Sequence, residues 1–531
     1  MTDNRSKRLE LSRRVALKSF GSAAVAGLAL LPSIPVLAAP VFRTYPFQLG
    51  IASGEPEPDG FVIWTRLAPE PFEIGHGMPA AAVEVEWQVA RDERMNDVVA
   101  SGKTYARPEL GHSVHVEVAG LEANRPYWYR FIAGRERSAI GRSKTTPAIG
   151  QPIDRLRFAV AGCQNYEQGY YTAHRYLARE DADFVFFYGD YIYEYRGNRF
   201  RNYSGGPVES VRPHFGDEIY SIEDYRRRYA QYKMDLDLQA AHASAPWFVT
   251  WDDHEIDNNW VSGDDQDGTP GRIFELRRQM AMQAYYENMP LRASALPVGM
   301  EMQLYRQARF GNLVDFNLLD TRQYRTDQPC NDKWGVVCDD IWDKDASVLG
   351  ATQERWLYEK LGASKSQWQV LAQQVMMMDL DRRPGPEQTE NLDSWGGYRT
   401  PRGRILGQIE ELKRKSVVVL TGDEHQNYAG ELYQNSKRPT PRPIATEFVG
   451  TSISSSGDGV DKRGDTIAIQ QENDCLKWHN AQRGYVICDV DAASWTSEFK
   501  VVDRVSARGG KLSSRKRMVV EADQPGSLTE A

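Results

Sequence analysis

Positive charge is in short supply in this 531-residue chain: 65 Lys and Arg stand against 73 Asp and Glu, a formal net charge of −8. A general nucleic-acid binder needs surplus cations to displace counterions, so no nucleic-acid partner is expected. The surplus of carboxylates instead suits a protein that holds hard cations. Internal repeats and low-complexity tracts are absent, and a content of 41% apolar and 26% charged residues excludes collagen, coiled coils and wholesale disorder. No Gly-x-Ser-x-Gly elbow sits at a strand–helix turn, which argues against a serine nucleophile. Long apolar runs are missing too: the run over 20–31 ends at Pro32, with Pro35 beyond, short of the roughly 20 residues a membrane span needs. Cysteine is scarce, and odd in number. Of the five, Cys330 lies near Cys338 and Cys475 near Cys488, so an oxidising compartment would allow two local disulfides and leave Cys163 over.

The first forty residues do carry an address. Arg5, Lys7 and Arg8 lead to Ser12-Arg13-Arg14-Val15-Ala16-Leu17-Lys18, then to the apolar run and to Val36-Leu37-Ala38, a small-residue cleavage site. This is the layout of a twin-arginine signal peptide over 1–38. It implies the twin-arginine translocation machinery as a partner and a periplasmic or secreted destination. That route carries folded proteins, often with a cofactor already inserted, which would suit a metal site.

A chain of this length calls for two domains or one heavily decorated one. Residues 40–145 hold short β-prone runs, at 61–64, 83–89, 114–118 and 127–131, separated by Gly, Pro, Asn and Asp turns. A small all-β sandwich of the immunoglobulin or fibronectin kind is expected there, followed by a linker over 145–152. From 153 to 510 buried strands alternate with helices, predicted over 222–232, 273–288, 353–361 and 403–413. The expected class is α/β, with layered sheets covered by helices. Residues 511–531 read as a polar C-terminal tail.

The chemistry lies at the carboxyl ends of the strands. The strand over 156–161 runs into Gly162-Cys163, that over 184–188 into Gly189-Asp190-Tyr191-Ile192-Tyr193-Glu194, that over 248–251 into Asp252-Asp253-His254-Glu255, and that over 417–421 into Gly422-Asp423-Glu424-His425. In α/β sheets these ends border the crevice where ligands bind. Each motif alone has a plain reading as a turn or a solvated helix start; four in succession are better explained by one metal site. Thiolate, phenolate and imidazole donors favour a transition ion, and the phenolate of Tyr193 points to ferric iron more than zinc, while Asp190, Asp253 and Asp423 offer hard oxygens suited to Ca²⁺. Asp190 is a natural bridge between two cations, whose repulsion an anion between them relieves. Arg196 and Arg322, close to these motifs, are candidate phosphate clamps. Ser454-Ser455-Ser456 is either a phosphate contact or a plain loop.

Gly189-Asp190-x-x-Tyr193, Asp252-Asp253-His254-Glu255 and Gly422-Asp423-x-His425 resemble motifs of the calcineurin-like metallophosphoesterases. With the stretches 47–54, 64–69 and 320–325, and with Cys163 where most such enzymes carry Asp, the chain is more closely similar to the PhoD-type alkaline phosphatase and phosphodiesterase family. The resemblance implies a metallophosphatase-like domain in which Cys163, Asp190, Tyr193 and His425 hold an iron ion. Asp190 would bridge to a calcium completed by Asp253 and Asp423, and Asp252 would serve a further calcium or support the ligands from behind. His254 would contact phosphate or protonate the leaving group. One departure is Met280, where the pattern suggests an Asn ligand; Asn258 or Asn259 is the candidate substitute. The implied activity is that of an alkaline phosphatase or phosphodiesterase hydrolysing phosphate esters with a metal-bound hydroxide. The alternatives are a phospholipase D-like diesterase on the same site, which an apolar rim would favour, and a non-enzymatic exported protein that binds phosphate or metal.

Overall fold

A computed structural model describes residues 36–37, 40–198, 210–330, 334–437 and 442–531. The signal segment 1–38 falls, but for residues 36 and 37, outside the described residues. In the N-terminal region, strands β1 (Ile51–Glu57) and β2 (Gly60–Arg66) are followed by β3 (Ala82–Ala90), β4 (Val98–Ala106), β5 (Ser113–Val118), β6 (Pro126–Ala133) and β7 (Gly141–Lys144). One sheet runs β4-β3-β6-β7, the other β5-β2-β1. Their apolar faces meet in a cluster that includes Phe61, Ile63, Val83, Val85, Tyr129 and Phe131. The second sheet does not end there: Gly54 pairs with Trp247, which joins it to the sheet of the following region.

That region builds two sheets on one shared strand. Strands β8 (Leu156–Ala161), β9 (Phe184–Phe187) and β10 (Trp247–Val249) are parallel neighbours. The other sheet orders β11 (Arg306–Phe310), β12 (Val314–Leu318), β13 (Trp368–Ala372) and β14 (Val417–Thr421), with β15 (Asn427–Leu432) and β16 (Ala445–Val449) beyond them. The long strand β17 (Leu476–Val490) pairs with β15 through its first residues and with β8 and β18 (Ser494–Val502) through its last.

The apolar runs are continuous because both faces of these strands are covered. In β9, Phe184 and Phe186 point into a cluster shared with β12, β13 and β14, while Val185 and Phe187 point to the opposite face. That opposite face carries helices α1 (Thr172–Leu177), α2 (Ile222–Lys233), α3 (Leu236–Ser244) and α4 (Gly271–Asn288). The far face of the second sheet carries α5 (Gly350–Ala363), α6 (Arg399–Glu411) and α7 (Thr466–Glu472). Helix α2 opens on a capping box between Ser221 and Asp224, and α3 on Asp235, whose carboxylate accepts from two backbone N–H groups.

Two expectations are corrected. Residues 512–521 are not a tail but strand β19 (Leu512–Glu521), paired along β18; its polar composition reflects an exposed face, while Met518 and Val520 enter the core between the sheets. Cys330 and Cys338 form a disulfide, but Cys475 and Cys488 are both free and buried. They flank most of β17, whose rise of about 3.3 Å per residue sets them roughly 40 Å apart along the strand, and they belong to different apolar clusters.

Candidate metal centre

The strand ends expected to carry chemistry do converge. The side chains of Cys163, Asp190 and His425 offer ligand atoms within 4.8 Å of one another, as do those of Asp190, Asp253 and His254, and those of Asp252, Asp253 and Asp423. Asp190 and Asp253 each belong to two of these groups, so the three are contiguous. The convergence depends on close backbone approach. A Cβ on Gly162 or on Gly422 would lie 2.0 Å from the ring of Tyr188, which wedges between the ends of β8 and β14. Cys163, Asp190, Asp423 and His425 all have left-handed backbone, with φ between 53° and 64°. Such strain persists where the surrounding structure over-determines it, as at functional sites.

Glu255 ties the loops together: its carboxylate accepts from the backbone N–H of Asp190 (3.1 Å), Tyr191 (2.5 Å) and Asp252 (2.9 Å). The Tyr193 hydroxyl donates to Asp190 Oδ2 at 2.6 Å and lies 3.1 Å from His425 Nε2 and 2.7 Å from Ser455 Oγ. His425 Nδ1 lies 3.0 Å from Ser456 Oγ. The serine run thus supports two site residues. His254 stacks on Tyr193, ring centres 4.0 Å apart, and its Nδ1 lies 2.8 Å from Glu194 Oε2.

The electrostatics describe a place built for cations. Burial raises the carboxyl of Asp190 to about 7, and burial with neighbouring carboxylates lifts Asp252 and Asp423 well above the usual range. Burial, then Asp190, does the same to the Cys163 thiol. Asp190 Oδ1, Asp252 Oδ2 and Asp253 Oδ1 are buried without a hydrogen-bond partner. An unpaired buried carboxylate oxygen is costly, and a coordinated cation removes that cost, so the donor set fits metal ions. For His254 burial opposes the charged form, but Glu194, Asp253 and Asp190 outweigh it and hold its proton well above the usual imidazole range.

Asp190, Asp253, His254, Asp423 and His425 line a cavity of about 820 Å³. Arg322 and Arg196, expected as phosphate clamps, do not line it. Arg322 is fully buried behind the carboxylates, donating from Nε to Asp252 (2.6 Å) and from Nη1 to Asp393 (2.8 Å); a buried guanidinium needs such partners. Arg196 is exposed. Asn258 and Asn259 do line the cavity, and the backbone N–H of Asn259 donates to Asp253 Oδ2 at 2.8 Å, whereas Met280 packs against the helix-side core. Sequence reasoning missed Glu194 and Asp393. Glu194 closes one of the motifs and was legible beside it; Asp393 sits in a loop without a motif.

A family model described as PhoD-like phosphatase matches residues 158–499, and one described as its N-terminal domain matches residues 35–147. Alkaline phosphatase D of Bacillus subtilis (strain 168) is 45% identical over 513 residues, 95% of this chain and 87% of that protein. A solved structure described as the structure of PhoD superposes with a TM-score of 0.90 at 45% identity, over 93% of each chain. Fold and comparisons together define the class, a phosphoric ester hydrolase. The chain belongs to the PhoD-like phosphatase family.

Proposed function

We propose that the protein is an exported, metal-dependent alkaline phosphatase or phosphodiesterase with the layered domain of the calcineurin-like enzymes. The observation that carries this reading is the contiguous set of three ligand groups, with buried oxygens that lack a hydrogen-bond partner, in the lining of a large cavity. Cys163, Asp190, Tyr193 and His425 combine thiol, carboxylate, phenol and imidazole, a set suited to ferric iron. Asp253 and Asp423, with Asp190 between the groups, offer the all-oxygen set that suits calcium, and Asp252 supports it from beneath. Bound cations would offset the phosphoryl charge and lower the pKa of a coordinated water from about 15.7 toward 7.

The chain's own contribution is positioning and proton transfer. Glu194 engages His254 Nδ1 and favours the imidazolium, which leaves Nε2 to protonate the departing alkoxide. Arg322 holds Asp252 and Asp393 in place, so the carboxylates keep their spacing. The twin-arginine layout of residues 1–38 supports export, and no helix among the described residues is long and apolar enough to cross a membrane. A phospholipase-like diesterase is the second reading, because exposed Trp334, Val336 and Val460 give the cavity an apolar rim.

The test is nitrophenol release from mono- and bis-(p-nitrophenyl) phosphate between pH 6 and 10, with and without a calcium chelator. Asp190→Ala is expected to lose bound metal and turnover together. His254→Gln is expected to retain metal while turnover falls on the order of 10²-fold or more. Full activity in Asp190→Ala would sink the proposal.

A further inference from the structure

The cavity is far larger than a phosphoryl group, and the part of its lining that lies outside the ligand groups has its own chemistry. Its wall there is the segment Gly335–Val336, paired with Thr389–Glu390 and flanked by the Cys330–Cys338 disulfide. Trp334 precedes that short strand and lines the cavity with 54% of its surface exposed. A tryptophan so exposed inside a concavity is an unsatisfied apolar surface. It is also held in place. The guanidinium of Arg382 sits over the indole, 4.8 Å from the ring centre. Arg382 is itself buried and fixed by Glu424 Oε1 at 2.6 Å and the Tyr428 hydroxyl at 2.9 Å. A braced aromatic ring beside a disulfide loses little freedom when a ligand settles on it, so the surface is preorganised.

Resting on the phosphate-ester reading above, we propose that Trp334 is a stacking platform for a planar aromatic group carried by the ester's alcohol, so that the preferred substrates are phosphate esters of nucleosides. Stacking on an aromatic side chain is tolerant of which base is presented, because every base has a π-face. Val336 and Val460, 49% and 52% exposed and also lining the cavity, extend the apolar wall. Trp334 belongs to none of the ligand groups and has no titratable atom, so it sets specificity and takes no part in the proton transfer at His254.

The test compares adenosine 5′-monophosphate with ribose 5-phosphate, each as the free monoester and as the methyl diester. The leaving oxygen is common to each pair, and only the base differs. Phosphate or methyl phosphate release by the metal-loaded enzyme is expected to favour the adenosine esters. Trp334→Ala should lower kcat/KM for them on the order of tenfold, mainly through KM, and leave the ribose esters unchanged; Trp334→Phe should keep the preference. An equal loss on both alcohols, no base preference in the wild type, or faster cleavage of diacyl phospholipid would overturn the platform. No turnover of any of these esters with turnover of the nitrophenyl phosphates retained would overturn the platform too, and no turnover of either set would overturn the phosphate-ester reading itself.

Discussion

At the scale of residues, the centre depends on atoms that are missing as much as on those present. Tyr188 occupies the space that side chains at 162 and 422 would need, and its hydroxyl donates to the Thr451 carbonyl at 2.5 Å. Cys163 and Asp423 can therefore approach each other only across two glycines. Gly162→Ala is expected to push Tyr188 or Cys163 away, lower the melting temperature by an overpacking cost of about 1–3 kcal/mol, and strip the first ligand group of its metal. Adding Tyr188→Leu to that variant should restore part of both losses. Metal analysis and thermal unfolding of the two variants check this, and an undisturbed metal content in Gly162→Ala would refute it. Cys163, Asp190, Asp423 and His425 share left-handed φ; Tyr188 packs where the turns at Cys163 and Asp423 begin, while Glu255 holds the Asp190 turn through its backbone N–H and Ser456 lies 3.0 Å from His425 Nδ1.

At the scale of elements, strand β19 covers one side of the first sheet, with the short segment Thr529–Glu530 paired beyond it. It hydrogen-bonds along the length of β18 and adds Met518 and Val520 to the core between the sheets. Truncation after Lys511 would expose the edge of β18 and uncover part of that core. The truncated chain is expected to unfold at lower temperature and to aggregate, since an uncovered edge pairs with other chains. A melting temperature equal to that of the full chain would mean that the segment is the dispensable tail its polar sequence suggests. Its alternation was legible in principle, because Met518 and Val520 recur at period two, but the charged residues around them masked it. The helices over 222–232 and 353–361 were legible from apolar periodicity, and they form close to those limits. Helix α3 was missed, because its run is short and rich in alanine.

At the scale of the whole molecule, the N-terminal strands are welded to the region that carries the site. The Trp64 indole donates to the Glu287 carbonyl at 2.9 Å, Arg66 donates from Nη1 to Asn288 Oδ1 at 3.2 Å, and His115 Nε2 lies 3.0 Å from both the Tyr286 and Met289 carbonyls. Burial, opposed by those two carbonyls, pushes His115 down to about 4. The ring is thus neutral in the folded protein, whereas the unfolded chain takes up a proton below about pH 6.5. Its contribution is therefore intact above about pH 6.5 and is lost as the pH falls toward 4. His115→Gln keeps a donor but does not titrate. The stability advantage of the wild type over this variant is expected to shrink between pH 7 and 4.5. A gap in melting temperature that stays constant over that range would contradict the assignment.

The local facts belong to the amino-acid order alone: which strands are apolar on both faces, which glycines and acids come after them, and which residue types could ligate metal. Those depend on neighbours in the chain and on side-chain chemistry. Which partners lie across the fold was beyond its reach. That Cys475 and Cys488 stand at opposite ends of one extended strand, that Arg322 neutralises carboxylates from behind rather than facing the cavity, and that Glu194 grips His254 were all decided by tertiary packing. The physical reason is burial. Once two sheets close over a charge, only the groups that the fold happens to bring alongside can satisfy it, and those come from segments 60 to 71 residues apart in the pairs of His254 with Glu194 and of Arg322 with Asp252 and Asp393.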